Sequence, residues 1–207
     1  MELDVLKKPK STPPPVVENS GEGVVKLSGI SWQRFKDLDV CLDGINSLRL
    51  TYLAGRLEIM TISSKHERIK KTLGYLLEVY MREKGIRFYG GGGFTLMKEG
   101  ESSGEPDESY CIGSDKEKPD IVIEVIITSG NINKLEVYKP KNVPEVWFWK
   151  SNQLQVFDLI EDDYQKVTRS QFFPNLDLNL LCHYVQYQDQ YDAVQEFQAA
   201  IRLGEVK

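Results

Sequence analysis

Residues 119–127 constrain the fold of this chain more than any other segment. Apart from Glu124, every residue from Ile121 to Ile127 is β-branched and aliphatic, which is typical of a central strand covered on both faces. A carboxylate in such a strand is costly to bury unless it is paired, hydrogen-bonded, protonated or bound to a metal. The segment therefore predicts a buried sheet and singles out Glu124. A functional carboxylate and an ion pair that only fixes strand register remain equally open.

The length and composition of the chain are those of an ordinary globular protein. Its 207 residues predict one folded domain with short appendages, and 41% hydrophobic residues suffice for a sizeable core. No apolar run approaches the roughly 20 residues that cross a bilayer. The first residues also lack the apolar stretch of a signal peptide. We therefore expect neither a membrane protein nor a secreted one.

Charge and metal-binding residue types narrow the function further. The net charge of −5 lacks the overall positive charge of a tight, non-specific nucleic-acid binder, although a local basic face stays open. Three widely spaced cysteines form no Cys-x-x-Cys pair, which favours a reducing cytoplasmic location and argues against a zinc finger. His66 and His183 are too few for a histidine-rich metal cage.

Sequence periodicity predicts an α/β (α+β) domain with a central mixed sheet flanked by helices. Alternating residues at 48–53 and 56–61, separated by Ala54-Gly55, are typical of a tight hairpin. A long helix is expected to begin at a capping box formed by Ser64 and Glu67, with His66 near its buried edge. The remaining predicted elements are a helix after Ser31, strands at 86–89, 94–97, 107–112, 120–127 and 164–168, a helix at 131–139, a hairpin around Ser151-Asn152, and a helix at 189–202.

The chain divides into three predicted segments. Residues 1–24 are a proline-rich, disordered lead-in, residues 25–185 form the folded domain, and residues 186–207 form an amphipathic C-terminal helix. The run Gly90–Gly93 is not followed by the helix with Lys-Ser/Thr that a phosphate-binding P-loop requires. It therefore predicts a turn beside a close backbone approach.

Two acids and an amine form a candidate catalytic set. Asp107 follows a proline at the start of a short strand, and Lys134 lies ten residues after Glu124. Two carboxylates can hold a magnesium or manganese ion, which polarises a phosphoryl oxygen and lowers the pKa of a bound water. A nearby lysine can orient that water or neutralise developing charge. Turn chemistry also produces isolated Pro-Asp pairs, so Asp107 alone is weak evidence.

Several short motifs, in this order and spacing, resemble the Uma-type family of restriction endonucleases. That family is abundant in cyanobacteria and lies within the PD-(D/E)XK nuclease superfamily. The resemblance covers residues 30–185. It rests on Arg56-Leu57-Glu58, His66, Pro106-Asp107, and the segments 119–125, 134–138, 143–149 and 173–176.

This resemblance implies a restriction-endonuclease-like core and hydrolysis of phosphodiester bonds in nucleic acid, with DNA as the expected substrate. By position, Asp107 and Glu124 would bind Mg²⁺ or Mn²⁺. The usual superfamily lysine stands two residues after the second acid, where this chain has Ile126. Lys134, from the following helix, would replace it.

Three further residues match polar positions of the family or lie near them. Glu58 and His66 would complete the catalytic site, and Tyr138, one helical turn after Lys134, could line the same face. The alternatives are a solvent-facing hairpin residue for Glu58, a histidine that only satisfies a backbone group at the helix start, and a core tyrosine.

Two functions stay open from the sequence. Residues 128–131 lack the aspartate that the family commonly carries before its lysine, so the chain is either an active endonuclease or a weak or inactive nuclease-fold module that binds nucleic acid or protein. In an active nuclease, phosphate contacts would come from Lys70-Lys71, Lys139–Lys141 and the basic residues at 82, 84 and 87. Two-fold pairing for double-strand cleavage predicts a homodimer by analogy.

Overall fold

The computed structural model describes residues 22–127 and 132–204. The predicted disordered lead-in, residues 1–24, therefore lies largely outside the described residues. Residues 128–131, where the sequence departs from the family pattern, lie wholly outside them. The helices are α1 (Trp32–Cys41), α2 (Ser64–Glu83), α3 (Lys134–Tyr138), α4 (Leu178–Val185) and α5 (Gln190–Leu203), with a 3-10 turn at Lys139–Lys141. The strands are β1 (Val24–Ser28), β2 (Leu48–Leu53), β3 (Arg56–Thr61), β4 (Phe88–Gly90), β5 (Leu96–Lys98), β6 (Ser102–Gly104), β7 (Glu108–Ile112), β8 (Ile121–Ile126), β9 (Glu145–Lys150), β10 (Gln153–Ile160) and β11 (Asp163–Val167).

A mixed six-stranded sheet forms the centre of the fold, as the sequence predicts. Its strand order is β11-β10-β9-β8-β7-β4. Strand β8 pairs with β9 in parallel and with β7 antiparallel. Because β8 has neighbours on both sides and residues 121–125 are buried, it is the central strand that its aliphatic composition indicates.

A second, five-stranded sheet with the order β1-β3-β2-β6-β5 packs near the first and is antiparallel throughout. The predicted hairpin at Ala54-Gly55 is confirmed: both residues have positive φ, 45° and 85°, as a tight two-residue turn requires. The same geometry, at Ser151 and Asn152, confirms the hairpin between β9 and β10.

The two faces of the six-stranded sheet have different partners. Helices α2, α4 and α5 cover the face that carries Ile121, Ile123 and Val125, and together they form the largest hydrophobic core. The opposite face, with Val122, packs against α3 and the five-stranded sheet in a smaller core. Strand alternation places Glu124 on this second face, between the two sheets.

Several local predictions differ from the structure. The N-cap of α2 is Ser63, whose side chain accepts a hydrogen bond from the His66 backbone N–H, so the predicted capping box at Ser64 and Glu67 is wrong by one residue. The sequence patterns predict no strand where β6 lies and no helix where α4 lies. Ser31 does cap α1, and Cys182 lies in the core, whereas His183 is exposed.

The C-terminal helix α5 packs along α2. Arg202 and Gln198 both reach the Glu83 carboxylate, at 2.8 Å and 2.6 Å. The helix agrees with the amphipathic segment predicted near the C-terminus. Among the described residues, no helix combines the length and the apolar character needed to traverse a bilayer.

A carboxyl pair, the buried Glu145 and the half-buried Asp158, connects β9 to β10 and to the loop that follows β11. Glu145 lies opposite Asp158 and accepts hydrogen bonds from Trp147, Ser170 and the Gln171 backbone N–H. Asp158 Oδ1 is buried and has no hydrogen-bond donor among the described residues. Burial, together with the neighbouring Asp158 carboxyl, raises the pKa of Glu145 to about 7. The raised pKa means that the Glu145 carboxyl loses its proton near neutral pH.

Replacing Asp158 with Asn should make stability less dependent on pH. The folded-state pKa of Glu145 is raised, so its stabilising contribution is full below the ordinary pKa of 4.5 and is lost as the pH rises through about 7. An amide at position 158 can donate to the ionised Glu145 carboxylate and lower its pKa. Urea unfolding at about pH 5 and about pH 8 should show a smaller fall in the free energy of unfolding for the variant. The exposed Asp162→Asn serves as control; equal falls in all three proteins would contradict the expectation.

Candidate active site between the two sheets

Glu124 is buried on the inner face of β8, with two partners from α3. Its Oε1 accepts a hydrogen bond from Lys134 Nζ at 3.1 Å and a short one from the Tyr138 hydroxyl. Burial raises the pKa of Glu124, Lys134 lowers it, and the negative charge of Asp107 raises it again. The net shift of the Glu124 pKa is upward, so the ion pair with Lys134 does not fully offset the free-energy cost of burying the carboxylate.

Asp107 lies just before β7, beside the strand that carries Glu124. Its backbone N–H donates to the Ile123 carbonyl at 3.0 Å, and its Oδ2 accepts the Val125 backbone N–H at 2.7 Å. These two contacts fix the main chain and the side chain of Asp107 against β8. The aspartate is buried, and its charge reaches Glu124. The structure therefore brings together the two acids that the sequence singles out.

His66 occupies the first turn of α2 and is fully buried. Its Nε2 lies 3.2 Å from Asp107 Oδ2, but neither ring nitrogen makes an aligned hydrogen bond to a described residue. Burial alone would lower the pKa of His66, whereas the Asp107 carboxylate raises it, and the net shift is upward. The predicted position at the buried edge of the helix is confirmed, and the side chain faces Asp107.

Helix α3 carries both partners of Glu124. Asn133 caps the helix by accepting the Leu135 backbone N–H at 3.1 Å, so Lys134 is its first residue. Lys134 and Tyr138 are four residues apart and lie on one face, as the helical repeat requires. Lys134 reaches Glu124 from this helix, while Ile126, at the usual position of the superfamily lysine, lines the same cleft. Tyr138 is both buried and in contact with the candidate site.

Glu58 reaches the site from the five-stranded sheet. It lies on β3 and is buried, so the interpretation as a solvent-facing hairpin residue is wrong. Its Oε1 accepts a short hydrogen bond from the Ile132 backbone N–H. This contact ties the residues just before α3 to the second sheet and thereby positions Lys134.

A cleft of about 290 Å³ lies between the two sheets, beside these residues. Glu58 and Thr51 line it from one sheet, and Glu124 and Lys134 line it from the other sheet and from α3. Asp107 and His66 are not among the lining residues. Of the two predicted metal ligands, only Glu124 therefore opens directly onto this cleft. The other residues around it are Met60, Val125, Ile126, Ile132, Asn133, Phe148, Lys150, Gln155 and Phe157.

The donor set of the site fits a hard divalent cation. Asp107 Oδ1 and Glu124 Oε2 accept no hydrogen bond from a described residue. Magnesium is commonly held by one or two carboxylates together with water and substrate phosphate. Within residues 22–127 and 132–204, however, no group of three or more His, Cys, Asp or Glu side chains is arranged as a metal site. Any cation would rely on this pair.

Two further buried residues, Lys141 and Asp120, have structural roles. Lys141, predicted to contact phosphate, is buried, and its Nζ donates to Ser102 Oγ at 2.8 Å and to the Val137 carbonyl at 2.6 Å. It cannot contact phosphate in this conformation, and burial lowers its pKa to about 8. Asp120 binds Lys116 and the Ile112 backbone N–H, at the opposite end of β8 from the cleft.

The glycine run packs tightly against the segment that carries Asp107, as the sequence predicts. Gly91 N–H donates to the Ser109 carbonyl at 2.9 Å. A Cβ atom at Gly93 would lie 2.8 Å from the Pro106 carbonyl oxygen. The absence of side chains here lets the turn approach the residue directly before Asp107.

Gly93→Ala should displace Pro106 and lower both stability and any activity of the site. The added methyl group collides with backbone, so we expect a loss of about 1–3 kcal/mol in the free energy of unfolding. Urea unfolding measures this loss. Gly204→Ala is the matched control, because a Cβ there meets nothing within 4 Å. A Gly93→Ala protein as stable as wild type would show that the turn moves freely.

Comparison with known proteins agrees with this architecture. The model of the Uma2 family, described as putative restriction endonuclease, matches residues 32–186. The matched region runs from the first residue of α1 to just beyond α4 and includes every candidate site residue. No curated protein matches the chain.

Proposed function

Because the chain belongs to the Uma2 family of putative restriction endonucleases, we propose that it hydrolyses phosphodiester bonds in DNA with a divalent metal ion. The family implies a nuclease that acts on nucleic acid, and nucleases of this fold class generally use divalent metals. The observation that carries the proposal is the buried Glu124, next to Asp107, with Lys134 Nζ 3.1 Å from its carboxylate.

In this proposal Asp107 and Glu124 hold Mg²⁺ or Mn²⁺. A bound ion would polarise a phosphoryl oxygen and lower the pKa of a water molecule. Lys134 neutralises negative charge that develops on the phosphate, and it can do so because its amine lies at the carboxylate that opens onto the cleft.

The other site residues position these groups. Tyr138 donates to Glu124 and fixes the orientation of its carboxylate. His66 faces Asp107, and its raised pKa favours the imidazolium that offsets the aspartate charge. Glu58 holds the segment that precedes Lys134. Each side chain thus has a role that does not require it to touch the substrate.

The alternative is a nuclease-fold module that binds nucleic acid or protein without cleaving it. It is favoured by the position of Asp107, which does not line the cleft. Against it, Lys134 is not displaced from Glu124 despite the altered connection at 128–131. The expected homodimer and cytoplasmic location stay predictions.

Isothermal titration of Mn²⁺ tests the metal site directly. Wild type should bind Mn²⁺, and Asp107→Asn should lose that binding because the amide removes one of two anionic ligands. Asp162→Asn, an exposed acid outside the site, should bind like wild type. Failure of wild type to bind Mn²⁺, with or without DNA, would leave the non-catalytic module as the better interpretation.

A further inference from the structure

A line of three side chains crosses the floor of the cleft. Glu124 pairs in register with Phe148, and Phe148 pairs with Gln155, across β8, β9 and β10. Adjacent strands lie about 4.7–4.9 Å apart, so the Gln155 backbone lies roughly 10 Å from that of Glu124, with Phe148 between them. A ligand in the cleft therefore meets the Glu124 carboxylate, the Phe148 ring and the Gln155 amide side by side.

Hydrolysis of a phosphodiester bond does not require this ring or this amide. Phe148 and Phe157 have ring centroids 5.5 Å apart, and Met60 and Ile126 extend the apolar lining around them. The Gln155 side chain makes no hydrogen bond with any described residue, although it is only half-exposed. The cleft therefore offers an apolar, aromatic surface with an amide available to a ligand.

The rim of the cleft carries a second cation. Lys150 lies beside Ile126 in register, is exposed, and forms no ion pair within the described part of the chain. Together with Lys134, whose amine is paired with Glu124, it places an amine on either side of the apolar floor. A ligand with a flat ring between anionic groups matches this arrangement, and a nucleotide within a DNA strand has that chemistry.

The size of the cleft limits the ligand further. Its volume of about 290 Å³ is at the lower end of the range of pockets that bind small molecules. A space of this size holds one nucleobase with part of its sugar-phosphate. A base could reach it only from a single strand or after leaving the stack of a duplex.

We propose that this cleft binds one unstacked nucleobase of the DNA strand, next to the phosphate that Lys134 contacts. The base packs against Phe148 and Phe157, and Gln155 hydrogen-bonds its polar edge. This inference rests on the proposed function, since it names the form of DNA that the site takes. The preferred substrate is then single-stranded or locally unpaired DNA rather than continuous duplex.

Fluorescence anisotropy with labelled oligonucleotides tests the base pocket. Three ligands of equal length are compared: a single strand, its blunt duplex, and an abasic strand that has the same phosphates but no bases. Binding is measured in EDTA and again in Ca²⁺. Wild type should bind the single strand most tightly, because stacking of one base is expected to contribute about 5- to 100-fold in affinity.

Two variants separate base recognition from general effects. Phe157→Ala and Gln155→Ala should weaken binding of the single strand, the former by about 5- to 100-fold, and should leave binding of the abasic strand unchanged. The Gln155 side chain makes no hydrogen bond to a described residue, so its variant is expected to fold normally; thermal unfolding checks both variants. Tyr191→Ala, an exposed aromatic residue on α5, is the control and should bind all ligands like wild type.

Three results would overturn the base pocket. They are a wild-type preference for duplex, equal binding of base-bearing and abasic strands by wild type, and equal losses for both strands in the two variants. The measurement in EDTA needs neither metal nor cleavage. Base-dependent binding without Mn²⁺ binding would therefore uphold this inference while refuting the proposed catalysis.

Discussion

Glu124→Gln is expected to abolish cleavage of DNA while the protein stays folded. The substitution keeps an acceptor for the Tyr138 hydroxyl but removes the negative charge that the metal ion needs. Charge stabilisation by a metal amounts to several kcal/mol in the transition state, so the rate should fall by about 10²- to 10³-fold or more. Lys134 is partly exposed and can turn its amine to solvent when the carboxylate is lost.

Plasmid cleavage in Mg²⁺ or Mn²⁺, together with urea unfolding, measures both parts of this result. The free energy of unfolding should not fall, because burial raises the pKa of Glu124 and a neutral amide avoids that cost. Glu136→Gln on α3 is the matched control, since the Glu136 side chain is exposed and, among the described residues, forms its ion pair with Lys139. Persistent cleavage by Glu124→Gln would refute the site assignment.

The central part of the fold follows from local sequence patterns. The aliphatic run around Glu124 predicts β8. The dipeptides Ala54-Gly55 and Ser151-Asn152, each between two apolar runs, predict their hairpins. Each of these patterns extends over only a few residues, so it can be recognised from local sequence. The family resemblance adds the restriction-endonuclease-like architecture, which the family match and the mixed sheet support.

Strand β6 of the second sheet could not be predicted in this way. Strand β6 has the sequence Ser-Ser-Gly and pairs with β2 and β5. Gly104 lets α3 approach this strand closely, since a Cβ there would lie 3.0 Å from Val137. Burial of Lys141 depends on the same packing. Neither a three-residue polar strand nor a buried lysine leaves a local signal, since long-range contacts determine both.

The candidate site was only partly predictable for the same reason. Sequence and resemblance select Asp107, Glu124, Lys134, His66 and Glu58, but they do not give the distances. The contact between Lys134 and Glu124 depends on the start of α3, which Asn133 and Glu58 fix. The partnership of Tyr138 with Glu124 then follows from the helical repeat. The cleft beside them requires both sheets, so no single motif predicts it.

Lys134→Met should lower the cleavage rate by about 10²- to 10³-fold, the usual loss when one electrostatic stabiliser of a transition state is removed. Methionine retains much of the length and apolar volume of lysine, so the packing of α3 should be preserved. Metal binding should persist, because the two carboxylates remain and Glu124 loses a competing cation. Parallel Mn²⁺ titration and cleavage assays separate this variant from Asp107→Asn, which should lose both.

A second substitution tests whether Lys134 replaces the usual superfamily lysine. Ile126 lies two residues after Glu124, on the same face of β8, and lines the same cleft. Ile126→Lys in the Lys134→Met background should therefore restore a large part of the lost rate, since the new amine starts from the strand that carries the metal ligand. Ile127→Lys, whose side chain faces the α2 side of the sheet by strand alternation, should restore nothing. Restoration by neither variant, with metal binding intact, would mean that Lys134 acts through the position of α3 and not through its charge at the phosphate.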